Sequence, residues 1–414
     1  LSAVTVNGLP RSLVQAKSAS LIGSAAVALG VFLLGFVIRE PAPYEVYMVG
    51  LIAVWSLFGL RLSLHAVVLL ALLVAFNIGG LLSMTTMGDL YETPLFLAAS
   101  LFLAFTAVFF VAILEADHNR YRLIFMSWIA AALVTGSLGI GGYFGVIPGA
   151  EMFTRYDRAM GAFQDPNVFG PFLALPAVYL LYRILTGNPL RMPFYAGAFV
   201  VIVAAIFLSF SRGAWGLFAA SSVLLTGALF IQSTSSLFRL RLILMALLAS
   251  VLLVTAIVVV MQLPGVSDLL TTRARLVQDY DAGHLGRFAR FGIGLQMAME
   301  NPMGIGPLNF GRTLGEDTHN VWLSSLMNYS WLGFISFVTL VVWTVAGGFR
   351  ILFRDRPWQP YLLCTYIVFL GHIALGTVID MDHWRHFYVL IGLIWGAMAL
   401  ESRHQRGLAA QKST

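Results

Sequence analysis

The residues best suited to chemistry in this chain are arginines and histidines beside breaks between apolar runs. Arg212 sits in Leu208-Ser-Phe-Ser-Arg-Gly-Ala-Trp, where two apolar runs meet with almost no loop between them. A cation so close to hydrocarbon is costly unless it faces a cavity or a partner. A tight turn opening a helix at Gly213 and Ala214 would also aim backbone N–H groups at an anion. The plainer alternative is an arginine snorkelling from a helix end. His319, in Asp317-Thr-His-Asn-Val-Trp-Leu, opens a long apolar run. A neutral imidazole there can take a proton from a sugar hydroxyl near neutral pH, with Asp317 or Glu316 to orient it. The alternative is that Thr318 or Asn320 merely caps the helix and His319 is a bystander.

Two further clusters carry polar groups. Arg155, Tyr156, Asp157 and Arg158 precede Asp165-Pro-Asn, which reads as a turn starting a helix. Turn chemistry accounts for Asp165, Pro166 and Asn167 but not for Arg155 and Arg158. Asp380, Asp382, His383, Arg385 and His386 crowd another turn. Four of these are potential ligands for a divalent ion, but a hydrogen-bonded clasp or part of a sugar site is the expectation. Arg287 and Arg290 lie in a short amphipathic stretch expected to rest on the membrane surface as a helix. An arginine fork matches phosphate oxygens bidentately, so Arg155, Arg158, Arg287, Arg290, Arg385 and Asn320 are candidates for holding a diphosphate or glycan. Each of these arginines has a simpler fate, pairing with an acid or a lipid headgroup.

The elements that must position them are membrane spans. The chain has 414 residues, is 59% hydrophobic and has a mean hydropathy of +0.85, which excludes a soluble fold. At roughly 20 residues per span, the apolar runs are 18–38, 44–60, 62–84, 94–114, 123–143, 168–185, 192–210, 214–231, 242–262, 321–349, 361–378 and 387–400. The gaps between them alternate in charge. One set holds 15 Lys and Arg against 4 acids; the other holds 10 cations and 15 acids. By the positive-inside rule the first set is cytoplasmic, together with both ends, and the second external. The expected fold is therefore an all-α polytopic membrane protein of about twelve helices forming a single domain, 1–414. Two external loops stand out, at 144–167 and, much longer, at 263–320. The first run, lacking a convincing cleavage site, is expected to be an anchor. The pI near 9.5 reports topology and not nucleic-acid binding, since no long basic run occurs. Cys364, the one cysteine, excludes an intramolecular disulfide. The cytoplasmic gaps are short and no phosphate-binding loop or dinucleotide fingerprint occurs, so any reaction must run on an activated substrate and needs no cofactor.

Four stretches in order, Gly161-Ala-Phe-Gln-Asp-Pro-Asn-Val-Phe-Gly, Ser209-Phe-Ser-Arg-Gly-Ala, Asn301-Pro-Met-Gly-Ile-Gly-Pro and Thr318-His-Asn-Val-Trp-Leu, resemble the O-antigen ligase/O-antigen polymerase superfamily of bacterial inner-membrane glycosyltransferases. The resemblance spans roughly residues 20–400 and implies a type-C-glycosyltransferase-like fold with its active site at the periplasmic face. It implies transfer of a glycan from undecaprenyl diphosphate to a hydroxyl, inverting and without a required metal. Residues carried over are Arg212 and His319, and less directly Arg158, with arginines on the diphosphate and the histidine at the acceptor. The acceptor is lipid A–core in a ligase and a second lipid-linked repeat unit in a polymerase; the ligase is the preferred expectation. A transporter or lipid flippase is the reading from another class. Against it stand the absence of an internal repeat, the outer placement of the ionisable residues, and one disproportionately long external loop.

Overall fold

The computed structural model describes residues 11–260, 262 and 286–412. Nine helices cover the first part: α1 (Arg11–Leu33), α2 (Pro43–Leu57), α3 (Leu64–Met84), α4 (Thr93–Ala116), α5 (Arg120–Tyr143), α6 (Pro166–Thr186), α7 (Met192–Leu208), α8 (Arg212–Gln232) and α9 (Ser236–Val260). Six follow: α10 (Arg287–Glu300), α11 (Asn309–Leu314), α12 (Val321–Asn328), α13 (Ser330–Ile351), α14 (Gln359–Leu375) and α15 (Arg385–Lys412). The only strands among the described residues, β1 (Thr154–Arg155) and β2 (Arg158–Ala159), make an antiparallel hairpin between α5 and α6.

Among the described residues, seven helices are long and apolar enough to cross a membrane, and three shorter apolar helices accompany them. Backbone groups in hydrocarbon must pair internally, which a helix does by itself. Proline opens α2, α4, α6, α7 and α14 within their first two positions, where its missing N–H goes unmissed. Pro176 lies inside α6 and deprives the Phe172 carbonyl of its helical donor. The Trp128 indole of α5 supplies a replacement at 3.1 Å.

The core lies where α15 runs along α4 and α6 is packed by α7 and α8. α3 and α13 approach closely: a Cβ on Gly79 would lie 2.1 Å from the Tyr329 carbonyl. Small residues permit such contacts in lipid, where apolar surface alone gives helices little reason to associate.

The run 321–349, expected as one span, is two helices. A straight helix would bond the Trp331 N–H to the Met327 carbonyl. Instead Ile305 N–H donates to Met327 at 2.9 Å, and Trp331 N–H donates to Pro302 at 3.3 Å. Ser330 turns left-handed at the break, with φ +60°. The loop Asn301–Pro307 is thus wedged into the helix, and its Gly304 and Gly306, at φ +84° and +92°, are the residues that bend it. Ser83 of α3 completes the joint, its Oγ accepting from Gly306 N–H at 2.8 Å. The Gly-Ile-Gly motif therefore works as a backbone clamp.

Candidate active site

The α7–α8 break is built by its own side chains. Ser211 caps α8, accepting from Ala214 N–H at 3.4 Å, and Phe210 takes φ +45°. The last carbonyls of α7 are covered by Ser209 Oγ on Ile206 at 2.6 Å and by the Trp215 indole on Ile206 and Phe207. Arg212 follows as the first residue of α8, half-buried and engaged in further interactions of its own.

Arg158 is buried in the hairpin and reaches the same break. Its Nε donates to the Ser209 carbonyl at 2.7 Å, and Nη2 donates to Asn167 Oδ1 at 2.7 Å. Asp165 caps α6 through Asn167 N–H at 2.7 Å, as the turn reading predicts. Arg158 thus ties the start of α6 to the break carrying Arg212. Arg155 lies exposed on the other strand, donating to the Gln164 carbonyl at 2.9 Å and lying over the Tyr156 ring.

His319 sits immediately before α12 with φ +51°. That left-handed conformation is uncommon for a residue with a Cβ and is stored strain of the kind found at functional sites. Asn320 caps α12, its Oδ1 accepting from Trp322 and Leu323 N–H at 3.0 and 3.2 Å. Its side-chain carbonyl is therefore committed to the helix, as the capping alternative anticipates, and the cap orients the histidine beside it.

A carboxyl from a second segment joins the expected Asp317 near His319. Asp380 Oδ2 lies 3.8 Å from His319 Nδ1, and Asp380 Oδ1 accepts from Asn320 N–H at 3.0 Å. Of the expected partners, Asp317 feels the charge of His319 and Glu316 is engaged elsewhere. Glu316 pairs with Arg290 at 2.5 Å, and Asp317 packs over Gly311. Arg290, buried on α10, also donates to the Asp317 carbonyl at 3.3 Å. It holds the segment leading into His319, and the amphipathic stretch is the expected helix. Arg287 opens that helix; residues 263–285 lie outside the described part of the loop. Burial raises the Asp380 carboxyl well above the usual range, reinforced by the charges of Asp382 and Asp317. Burial likewise raises Asp317, against the pull of His319.

The rest of the Asp380–His386 cluster disperses. Asp382 accepts from His383 at 3.1 Å, and the His383 ring stacks on Phe96. His386 is buried among Phe172, Trp384 and His372. Arg385 is occupied by Glu45 and by Glu40, the latter at 3.2 Å, so it clasps α15 to α2. No group of three or more potential metal ligands converges among the described residues.

Two contacts link the segments that carry Arg212 and His319. A Cβ on Gly213 would lie 2.5 Å from Leu375, the last residue of α14. Gly376, next in the chain, accepts from Val321 N–H at 2.8 Å. Val321 follows Asn320 and His319. The two candidates therefore lie at one end of the bundle, joined through the C-terminus of α14. No protein-family model matches the chain, and no curated protein matches it.

Proposed function

We propose that this chain is a glycosyltransferase moving a glycan from undecaprenyl diphosphate to a hydroxyl at the periplasmic face of the inner membrane, with lipid A–core as acceptor. The observation that carries the reading is the join of Arg212 to His319 and Asp380 through α14, with a guanidinium and an imidazole at one end of the bundle. The four motifs resembling the O-antigen ligase/polymerase superfamily add to it.

In the reaction, the acceptor oxygen attacks the anomeric carbon and its proton passes to His319. Asp380 lies toward Nδ1, so Nε2 takes the proton. The bond from the anomeric carbon to the diphosphate oxygen breaks, and its electron pair leaves with undecaprenyl diphosphate. Arg212 holds that developing charge. Attack opposite the leaving group inverts the anomeric centre. Arg158 keeps the break that presents Arg212. A general base contributes about 10²- to 10⁴-fold, so His319→Ala should lose transfer on that order.

The test is purified protein with lipid-linked oligosaccharide, with and without lipid A–core. Glycan on lipid A–core, lost in Arg212→Ala and His319→Ala with unchanged melting, supports the ligase. Carrier-linked chains lengthening without lipid A–core make it a polymerase. Neither product from a folded sample overturns the reading. Arg212→Lys is expected not to rescue, because a point charge lacks the fork.

A further inference from the structure

The opposite, arginine-rich end of the bundle carries a feature that glycan transfer does not use. Helix α9 packs chiefly against α8. Leu242 is its inward anchor, whereas Leu237, Leu240, Leu244 and Leu248 are exposed. These leucines, with Met245 and Arg241, line an open groove of about 290 Å³. The groove, formed along one face of α9, is apolar except for a single guanidinium. In a bilayer an acyl chain satisfies such a lining, but a neutral chain alone has no use for the cation.

Arg241 is incompletely employed. Among the described residues it makes one hydrogen bond, from Nη2 to the Ile184 carbonyl in the last turn of α6, at a long 3.4 Å. A guanidinium has five N–H donors in a planar fork, so donors remain for an anion. Arg239 is turned elsewhere, donating to the Phe230 carbonyl of α8 at 3.2 Å and lying over the Phe230 ring. Residues two apart on a helix do not share a face, which leaves Arg241 as the cation over the groove. Charge complementarity and the dry lining select one occupant.

We propose that this groove is a binding site for an anionic glycerophospholipid of the leaflet at the arginine-rich end. The phosphate bonds to the Arg241 fork, and one acyl chain lies along Leu244, Met245 and Leu248.

Native mass spectrometry of the full chain in detergent tests this with two probes of equal chain length, phosphatidylglycerol and phosphatidylcholine. Phosphatidylglycerol should bind more tightly, and Arg241→Gln should remove that preference. A cation near a membrane surface is worth enough for about a fivefold loss. Arg241→Lys, which keeps the charge, should retain most of the preference and guards against a misfolded Arg241→Gln. Leu244→Trp, which fills the groove, should weaken both lipids. Equal binding of the two lipids by the unaltered protein overturns the proposal. So does an undiminished preference in Arg241→Gln, or displacement of phosphatidylglycerol by an uncharged polyprenol, which would make the groove a carrier-tail site.

Discussion

Asp380 illustrates how one side chain links stability to chemistry. Its half-buried carboxyl is held above the ordinary range, so the folded chain keeps a proton that the unfolded chain releases near pH 4. The stability this contributes is fully present below about pH 4 and is lost as pH climbs through the raised folded value. Melting temperatures taken from about pH 4 towards neutrality should therefore fall more steeply in the unaltered protein than in Asp380→Asn. Equal slopes would show that the carboxyl is not proton-linked to folding. If the proposed transfer is the activity, the same variant should slow it by on the order of 10²-fold, because a misplaced base loses its alignment. Arg212, His319 and the capping by Asp165 and Asn320 are legible along the chain, since each belongs to a local pattern at the edge of an apolar run. The partnership of Asp380 with His319 is not, because it joins residues 61 apart through a fold that no local period encodes. That Arg290 and Arg385 pair with acids is anticipated, but which acids they choose is hidden for the same reason.

At the scale of elements, apolar periodicity reveals helices but not where one is interrupted from outside. The stretch 321–349 carries no proline or charge at Tyr329, and its break arises because Asn301–Pro307 takes over the Met327 carbonyl. The close approach of α3 to α13 is equally silent in sequence, although Gly79, Gly80 and Gly333 are its means. Gly79→Ala should push the two helices apart, since the new Cβ would meet backbone atoms of Tyr329 and Gly333 that cannot swing aside. The expected cost is about 1–3 kcal/mol, read as a lowered melting temperature. Gly50, with nothing within 4 Å, is the matched control for alanine at a helical glycine.

For the whole molecule, charge asymmetry predicts which end faces which compartment, and the arginine-rich end is visibly organised. Arg354 and Arg356 both bond Glu401, tying the α13–α14 turn to α15. Cys364 is the single cysteine and is buried, so replacing it with alanine leaves a background for site-directed labelling. Cysteines introduced at the exposed Asp355 and Tyr156 positions should react with an impermeant maleimide from opposite sides of the membrane. Labelling of both from one side would refute the assigned topology.

The packing of α15 along α4 also has a consequence in time. Some 270 residues separate the end of α4 from the start of α15, yet each covers much of the other. At about 5–20 residues per second, α4 waits roughly 13–54 s after synthesis before its neighbour exists. During that interval its buried face, which includes Ser100 and Thr106, must be sheltered by the insertion machinery or by transient partners. A ribosome stalled before residue 385 should therefore hold a nascent chain that membrane proteases recognise as unfinished.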